Sequence, residues 1–418
     1  FIIIIIKFNI IKYYVMYKNI NLIVIIIVIF VIFIIFKLIY LIPNCSRTER
    51  MIVIDKLENP QWMYRCSKNV PQYIRKIFEK ENINKAFFDE EANIIFPCGY
   101  FNINSEIDKI VKFNNNNKSN IKKRIFIINN ADTIAGKDSL WFNIKKYYGL
   151  EKAKSLMPNT YILYDENDIN RLKKEYDSNK LYILKKNVQR QQGLKITRSL
   201  DDILYNKESY VIVQELLQDP YLINGRKINM RFYVLVICNK KNMDVLVYNN
   251  GFMYYTPKLF KKNVLTTDEN ITTGYIDRKV YQINPLTHED FREYLDSKNR
   301  KLNNTEIGLC DNDLIISSVV FSRIYNLLKY TFLSLSDSIG KNNKLKDEIT
   351  FQLFGADIAI NNELWPMIME INKGPDLTSK DERDGHVKDR CVEDMFSLLG
   401  IINKKQNKKN GFIKILDL

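Results

Sequence analysis

Residues 351–377 read FQLFGADIAINNELWPMIMEINKGPDL, and this segment is the most informative part of the sequence. Its two apolar runs predict a β-hairpin that turns near Asn362. Because side chains alternate between faces along a strand, Glu370 and Asn372 share a face, and Asp357 lies opposite Glu370. Two carboxylates and an amide oxygen suit Mg²⁺ held together with nucleotide phosphates. From spacing alone, an acidic hairpin with a solvated polar face is an equally good interpretation.

Two further segments carry groups that suit a nucleotide. Residues 182–185 (YILK) predict a short strand that ends in Lys185, followed by a loop with a single glycine, Gly193. A lysine beside a loop can clamp a phosphate because its ammonium is a compact charge, although most such lysines are surface charges. Residues 210–217 predict a buried strand whose free backbone groups could hold an adenine edge. Core packing explains its apolar residues equally well.

The segment 225–236 (GRKINMRFYVLV) alternates polar and apolar residues. A period of two places Lys227, Asn229 and Arg231 on one face of a strand and a core-type surface on the other. An exposed edge strand shows the same pattern. Because the strand continues into a fully apolar run, we predict a central strand whose cations line a cleft.

In this order the segments resemble the tubulin–tyrosine ligase-like family, whose members have the ATP-grasp fold. The resemblance is carried by YILKK at 182–186, by the run from Val213 to Val236, and by FGAD with MEINKGPDL in the hairpin. Upstream, GKDSL from Gly136 and MPNTY from Met157 look like the helix start and the proline–threonine strand entry of that family. The resemblance implies an α/β (α+β) ATP-grasp fold with antiparallel sheets.

The resemblance also implies a reaction with ATP and Mg²⁺ as cofactors. A protein carboxylate becomes an acylphosphate, which the amine of a free amino acid attacks, so that the enzyme mainly positions groups and neutralises charge. The implied catalytic residues are Lys227 and Arg231, and the implied metal ligands are Asp357, Glu370 and Asn372. The implied ATP-binding residues are Lys137, Lys185, Gln214, Glu215, Leu216, Leu217, Lys227 and Asn229. The implied substrate-binding residues are Tyr254, Thr272 and Thr273.

Three positions depart from the family pattern. Asn229 stands where members usually have an aspartate, Tyr254 where they have an arginine that grips the carboxylate of the amino acid, and Thr273 where they have an asparagine. A tyrosine donates one hydrogen bond but forms no bidentate ion pair. We therefore expect ATP and Mg²⁺ binding with an altered amino-acid pocket. Either tubulin tyrosination and simple glutamylation are not the native reaction, or Lys227 or Arg231 replaces the lost cation.

The N-terminal region predicts a membrane anchor. Residues 20–36, INLIVIIIVIFVIFIIF, are apolar and uncharged, and the apolar run resumes after Lys37. About 20 apolar residues span a bilayer, so we predict a single-pass helix over 16–43, with a buried core segment as the alternative. Residues 1–15 are interpreted as over-extended translation, because Met16 opens a conventional anchor. Counted from Met16, the cations after the span favour a cytosolic catalytic domain by the positive-inside rule, whereas Lys7 and Lys12 balance the count if residues 1–15 belong to the protein.

The charge and the composition of the chain indicate which partners to expect and where its domains begin and end. The formal net charge of +15 favours an acidic partner, such as a protein acceptor with an acidic tail, and tubulin is one candidate. Aromatic and basic residues do not interleave as in RNA-binding proteins, so we expect no nucleic acid. The predicted ranges are a linker (44–60), an ATP-grasp domain (61–400, with parts 61–160, 161–217 and 218–400) and a basic tail (401–418). The alternatives are a degenerate ATP- and Mg²⁺-binding membrane protein and a ligase with a non-tubulin acceptor.

Overall fold

A computed structural model describes residues 54–64, 70–98, 102–116, 123–188, 193–240, 242–297, 315–340, 344–403 and 409–418. The predicted anchor over 16–43, residues 1–15 and the first part of the predicted linker lie outside the described residues. Within the described ranges, no helix combines the length and the apolar character that crossing a membrane requires.

The described chain is a mixed α/β structure. Its strands are β1 (Gln61–Tyr64), β2 (Asn84–Lys85), β3 (Ile94–Phe96), β4 (Arg124–Ile125), β5 (Thr160–Ile162), β6 (Tyr182–Lys185), β7 (Leu194–Thr197), β8 (Ile212–Glu215), β9 (Leu222–Ile223), β10 (Arg226–Cys238), β11 (Met243–Tyr255), β12 (Ile349–Ile360), β13 (Pro366–Asn372) and β14 (Phe412–Asp417). Its α-helices are α1 (Gln72–Lys80), α2 (Ile103–Asn116), α3 (Ala131–Ala135), α4 (Lys137–Tyr148), α5 (Leu150–Leu156), α6 (Glu166–Glu175), α7 (Leu200–Tyr205), α8 (His288–Asp296), α9 (Ile316–Gly340) and α10 (Glu382–Leu398).

The larger sheet follows the order β14-β11-β10-β12-β4-β3-β1-β2, with β13 paired to β12 and β9 paired to β10. The long strands β10, β11 and β12 pair antiparallel. The prediction of antiparallel sheets is wrong for the other half, because β12, β4, β3, β1 and β2 pair parallel. Helices connect these short strands, and a helical crossover returns the chain in the same direction.

Alternation along β10 separates a packed face from a polar face. Phe232 faces α8 and α9, with its ring centroid 4.1 Å from that of His288 and 6.1 Å from that of Phe321. The preceding residue, Arg231, points to the opposite face of the sheet. The predicted central strand is confirmed, because β10 lies between β11 and β12.

A smaller antiparallel sheet has the order β5-β8-β6-β7. Its core packs Tyr161, Tyr182 and Val213 against Leu172 of α6. Helix α6 begins where Asp165 accepts a hydrogen bond from the backbone N–H of Asn167, a common way to satisfy the first turn of a helix. This sheet carries Lys185 and the predicted adenine segment.

The C-terminal residues differ from the predicted basic tail over 401–418. Residues 412–417 form β14, which pairs with β11 at one edge of the larger sheet. The strand buries Phe412 and Leu416, and Lys414 Nζ lies 2.7 Å from the Asp244 carboxylate. The positive charge of the segment 404–409 masks this short apolar alternation in the sequence.

Candidate active site

One cavity of about 630 Å³ is lined by residues of both sheets. It contains all the predicted site residues except Leu217, namely Lys137, Lys185, Gln214, Glu215, Leu216, Lys227, Asn229, Arg231, Tyr254, Thr272, Thr273, Asp357, Glu370 and Asn372. Leu217 lies outside the lining, but its carbonyl accepts a hydrogen bond from Lys227 Nζ at 3.2 Å. Residues separated by more than two hundred positions in the sequence therefore line the same cavity.

The predicted hairpin is formed by β12 and β13. Asp357 is paired with Glu370, and Gly355 with Asn372, so the three candidate metal ligands lie together. The turn is fixed by Asn361, whose side-chain oxygen accepts from the backbone N–H groups at positions 363 and 365. Asn372 Nδ2 donates to Glu370 Oε1 at 3.2 Å. The predicted hairpin and its register are confirmed.

Arg231 reaches this cluster from the neighbouring strand. It is the register partner of Asp357 and donates from Nε to Oδ1 at 2.6 Å and from Nη2 to Oδ2 at 2.9 Å. Burial raises the pKa of Asp357 to about 6, and Glu370 adds to this rise while Arg231 opposes it. A bidentate pair of this kind fixes the guanidinium in one orientation. The structure therefore commits Arg231 to the hairpin and not to a distant carboxylate.

Two lysines face the hairpin from the other side of the cavity. Lys137 is the first residue of α4, and its Nζ lies 3.6 Å from Glu370 Oε2. Lys185 Nζ donates to Gln214 Oε1 at 2.7 Å. Burial opposes ionisation of Glu370, but Lys137 and Lys185 outweigh it and lower the pKa of this carboxyl. The hairpin end of the cavity is thus defined by Lys137, Lys185, Arg231, Asp357, Glu370 and Asn372.

The oxygen donors at this end fit Mg²⁺. Asn229 Oδ1 is buried without a hydrogen-bond partner among the described residues, and Asn229 also lines the cavity. Mg²⁺ is commonly held by one or two carboxylates, waters and substrate phosphates. No group of three or more histidines, cysteines, aspartates or glutamates able to hold a metal occurs in the described ranges. A metal here would therefore draw on Asp357, Glu370 and amide oxygens.

The predicted adenine segment runs along β8 into the following residues. The backbone N–H groups of Glu215 and Leu216 already donate to the carbonyls of Asn159 and Leu181. The Glu215 carboxylate accepts from Asn159 and Lys180. An adenine ring at this edge would therefore contact apolar side chains and the backbone groups that do not take part in these hydrogen bonds.

Lys227 is buried close to this segment. Burial lowers the pKa of Lys227 to about 7, and repulsion from Lys185 adds to the lowering, whereas Asp219 opposes it. The ammonium is therefore easily neutralised, in contrast to the guanidinium of Arg231, whose interaction with Asp357 outweighs burial and raises its pKa.

Another part of the cavity lining contains charged residues that the sequence patterns do not single out, namely Arg278, Lys380, Asp384 and Lys388. We call these four residues, together with the predicted Tyr254, the far end. Lys388 Nζ lies 2.6 Å from Asp384 Oδ1, one turn apart on α10. Arg278 pairs with Asp381 at the start of that helix. The i,i+4 pairing on α10 is the one signal in the sequence, and it is equally typical of a solvated helix.

The two predicted threonines line the cavity from a segment that contacts β11. Thr273 Oγ1 accepts from the backbone N–H of Tyr275 at 3.1 Å, and its backbone forms a bridge to Tyr255. This bonding holds the loop that carries Thr272 and Gly274 against β11. The prediction that Thr272 and Thr273 contact a substrate stays a prediction.

Comparisons with known proteins agree with this arrangement. The family model described as "Tubulin-tyrosine ligase family" matches residues 108–409. A probable beta-tubulin polyglutamylase of Tetrahymena thermophila is 24% identical over 262 residues, which cover 60% of this chain and 22% of that protein. The probable tubulin polyglutamylase TTLL9 of Rattus norvegicus is 27% identical over 227 residues, covering 52% and 45%. The tubulin polyglutamylase TTLL7 of Xenopus tropicalis is 23% identical over 366 residues, covering 82% and 38%.

This chain spans less than half the length of each of these three relatives. The family model, in contrast, covers well over half of this chain, including the smaller sheet, the long strands β10 to β12 and every residue that lines the cavity. The predicted family is therefore confirmed, and the chain belongs to the tubulin-tyrosine ligase family.

Proposed function

We propose that this chain is an ATP-grasp ligase that uses ATP and Mg²⁺ to join the amine of a free amino acid to a carboxylate of a protein acceptor. The observation that carries this proposal is the hairpin end of the cavity. Two carboxylates, Asp357 and Glu370, face two lysines, Lys137 and Lys185, with the guanidinium of Arg231 beside them. Such a site can hold a polyphosphate and a divalent cation together.

In this proposal, Lys137 and Lys185 bind the phosphates, and Asp357, Glu370 and Asn372 supply oxygens to the metal. Mg²⁺ held by these residues would neutralise charge on the phosphoryl group that is transferred. Arg231 keeps its charge because Asp357 stabilises the protonated form, so it holds a fixed positive charge beside the place where the acylphosphate would form. The base of the nucleotide lies against the segment 214–217.

The reaction balances in two steps. The acceptor carboxylate takes the terminal phosphoryl group of ATP, which gives an acylphosphate and ADP. The amine nitrogen then bonds to the carbonyl carbon, the bond from that carbon to the phosphate oxygen breaks, and inorganic phosphate and a proton leave. No side-chain nucleophile is needed, since the site acts by positioning and by stabilising charge.

We propose glutamate as the amino acid and tubulin as the acceptor. The support is that the three similar proteins named above are described as polyglutamylases of tubulin or beta-tubulin. The formal charge of +15 also favours an acidic acceptor, because opposite charges raise the rate of association.

The test is incorporation of radiolabelled glutamate, glycine or tyrosine into purified tubulin by the 418-residue chain with ATP and Mg²⁺. We expect label from glutamate to enter tubulin, to require ATP and to be absent with Asp357→Asn. If no amino acid is incorporated into tubulin or other acidic proteins while ATP still binds, the ligase proposal is wrong.

A second candidate function is binding of ATP and Mg²⁺ without ligation. It is favoured by Tyr254 and Asn229, which replace an arginine and an aspartate of the family pattern. ATP binding at micromolar concentration, with ADP release unchanged by any amino acid, would support this candidate. An increase in ADP release that needs both glutamate and acceptor would exclude it.

For the N-terminal region we propose membrane attachment through residues 16–43, with the ligase domain on the cytosolic side. The support is the long uncharged apolar run at 20–36. The full chain should stay in the membrane pellet after a carbonate wash, and deletion of 1–43 should release it. Recovery of the full chain in the washed supernatant would contradict the anchor.

A further inference from the structure

Gly274 brings a cation next to Tyr254, the residue that stands where the family pattern has an arginine. A Cβ placed on Gly274 would lie 3.2 Å from Tyr254 Cζ and 3.4 Å from Lys380 Nζ. The aromatic ring of Tyr254 and the ammonium of Lys380 therefore both lie against Gly274. Lys380 Nζ donates to the Gly274 carbonyl at 2.7 Å and lies 4.4 Å from the ring centroid of Tyr275.

We propose that Lys380 binds the α-carboxylate of the incoming amino acid, with Arg278 as the second cation. This inference rests on the proposed ligase function, and it places the missing positive charge on a residue that comes from a different segment of the chain. The family-pattern arginine would extend from β11, whereas Lys380 reaches the same region from the loop before α10.

The ionic environment distinguishes Lys380 from the cations around it. Lys388 is paired with Asp384 and Arg278 with Asp381, but no carboxylate oxygen of the described residues lies within ion-pair distance of Lys380 Nζ. Burial lowers the pKa of Lys380, and repulsion from Lys388 and Arg278 adds to this effect, while Asp376 and Asp384 oppose it. A bound carboxylate would relieve the repulsion and favour the charged form.

Arg278 offers a second, independent donor. Its Nε is buried and has no hydrogen-bond partner among the described residues. The guanidinium lies 4.6 Å from the ring centroid of Tyr281, and Arg278 lines the cavity. A buried donor without a partner is costly, and a carboxylate oxygen is a strong acceptor for it.

The position of Tyr254 orients the amino acid. Its ring centroid lies 5.3 Å from Arg231 Cζ, whereas Lys380 approaches the same ring through Gly274. When the carboxylate of a bound amino acid contacts Lys380, the rest of that amino acid can extend along Tyr254 toward the hairpin end. The amine must reach that end, because the acceptor carboxylate is activated there. Lys227 and Arg231, the predicted replacements, are committed to the Leu217 carbonyl and to Asp357.

The test measures binding of radiolabelled glutamate and of its α-amide, isoglutamine, to the full chain with a non-hydrolysable ATP analogue and Mg²⁺. Wild type should bind glutamate at least about tenfold more tightly than isoglutamine, because the amide lacks the charged oxygens. Lys380→Met should lose about tenfold in glutamate affinity and most of this discrimination. Lys380→Arg should retain both, and the affinity for the ATP analogue should change less than twofold.

Lys279→Met is the matched control, because Lys279 is an exposed lysine beside Arg278 that does not line the cavity. The inference is overturned if Lys380→Met and Lys279→Met bind glutamate equally, or if Lys380→Met still discriminates against isoglutamine. Turnover is measured separately. Glutamate binding that depends on Lys380 without incorporation into any acceptor would contradict the ligase function and keep the subsite. Incorporation of glutamate that does not depend on Lys380 would contradict the subsite and leave the ligase function in place.

Discussion

The two ends of the cavity are built in different ways. At the hairpin end, Asp357, Glu370 and Arg231 project from neighbouring strands whose pairing fixes their distances. At the far end, Arg278 begins a 3₁₀ helix (Arg278–Gln282) and Lys380 lies in the loop before α10, and their positions depend on contacts with distant parts of the chain. Strand alternation therefore determines the first arrangement, whereas tertiary packing determines the second. The substitutions that depart from the family pattern lie on β10 and β11 and in the loop after β11, and the proposed replacement lies in a loop.

The largest effect is expected at Glu370, which would show whether the hairpin end alone carries the phosphate chemistry. Glu370→Gln removes the negative charge of a proposed metal ligand that is also the ion-pair partner of Lys137. ATP turnover should therefore fall by about 10²–10³-fold. The fold should remain, since Glu370 is partly exposed. Turnover is measured by ADP release across a range of Mg²⁺ concentrations.

Glu363→Gln is the control for that change, because Glu363 is an exposed carboxylate in the turn of the same hairpin. It should leave turnover unchanged. Retention of Mg²⁺-dependent turnover by Glu370→Gln would show that the metal site is assigned to the wrong residues.

The next effect concerns stability at the hairpin end. Arg231→Met leaves the buried Asp357 carboxylate without its bidentate partner, which should lower the free energy of unfolding by about 3 kcal/mol. The double variant Arg231→Met with Asp357→Leu should recover most of this loss, because no uncompensated charge stays buried. Urea denaturation of the four proteins in the cycle measures the coupling. If Arg231→Met and the double variant are destabilised equally, the ion pair contributes little to the free energy of unfolding.

A smaller effect is expected from the titration of Lys185. Burial lowers the pKa of this lysine to about 8, which Glu370 and Asp357 oppose, whereas Lys137 adds to the lowering. The ammonium is charged below that pH and neutral above it, so ATP affinity should fall by about tenfold as pH rises from 7.5 to 9.5. Lys185→Arg should make the affinity nearly constant over this range, because arginine stays charged. An unchanged pH profile in that variant would exclude Lys185 as the titrating group.

The smallest effect is expected at Tyr254, and it sharpens the contrast between the two ends. Tyr254→Arg places a guanidinium close to Arg231 and Lys380, so like-charge repulsion should reduce glutamate incorporation by about threefold. Tyr254→Phe should stay within about twofold of wild type, because the ring is retained. An increase in incorporation with Tyr254→Arg would show that the family-pattern arginine is missing and is not replaced by Lys380.

Much of the hairpin end could be predicted from the sequence, because the period of two along β10, β12 and β13 assigns each polar side chain to a face. The turn position predicts the pairing of Asp357 with Glu370 only approximately, because a register shift between Asp357 and Ile358 moves the pairing by one residue. The ion pair between Arg231 and Asp357 could not be predicted, since it depends on β10 and β12 being neighbours across more than one hundred intervening residues.

The far end could not be predicted for a related reason. Lys380 and Arg278 occupy polar stretches where charged side chains are usually solvated, and the sequence does not show that both line the cavity or that Lys380 contacts Gly274. The parallel half of the larger sheet was hidden in the same way, because its strands are only two to four residues long and show no readable alternation. The strand β14 was obscured by the basic residues before it.

The ratio of ADP released to glutamate incorporated tests directly whether the cavity is a ligase site. Purified full-length chain is incubated with labelled glutamate, ATP, Mg²⁺ and tubulin, and both products are measured in the same reaction. We expect one ADP for each amide bond, with both products lost in Glu370→Gln. ADP release that is independent of glutamate and accompanied by no incorporation would contradict the assignment of the cavity as a ligase site.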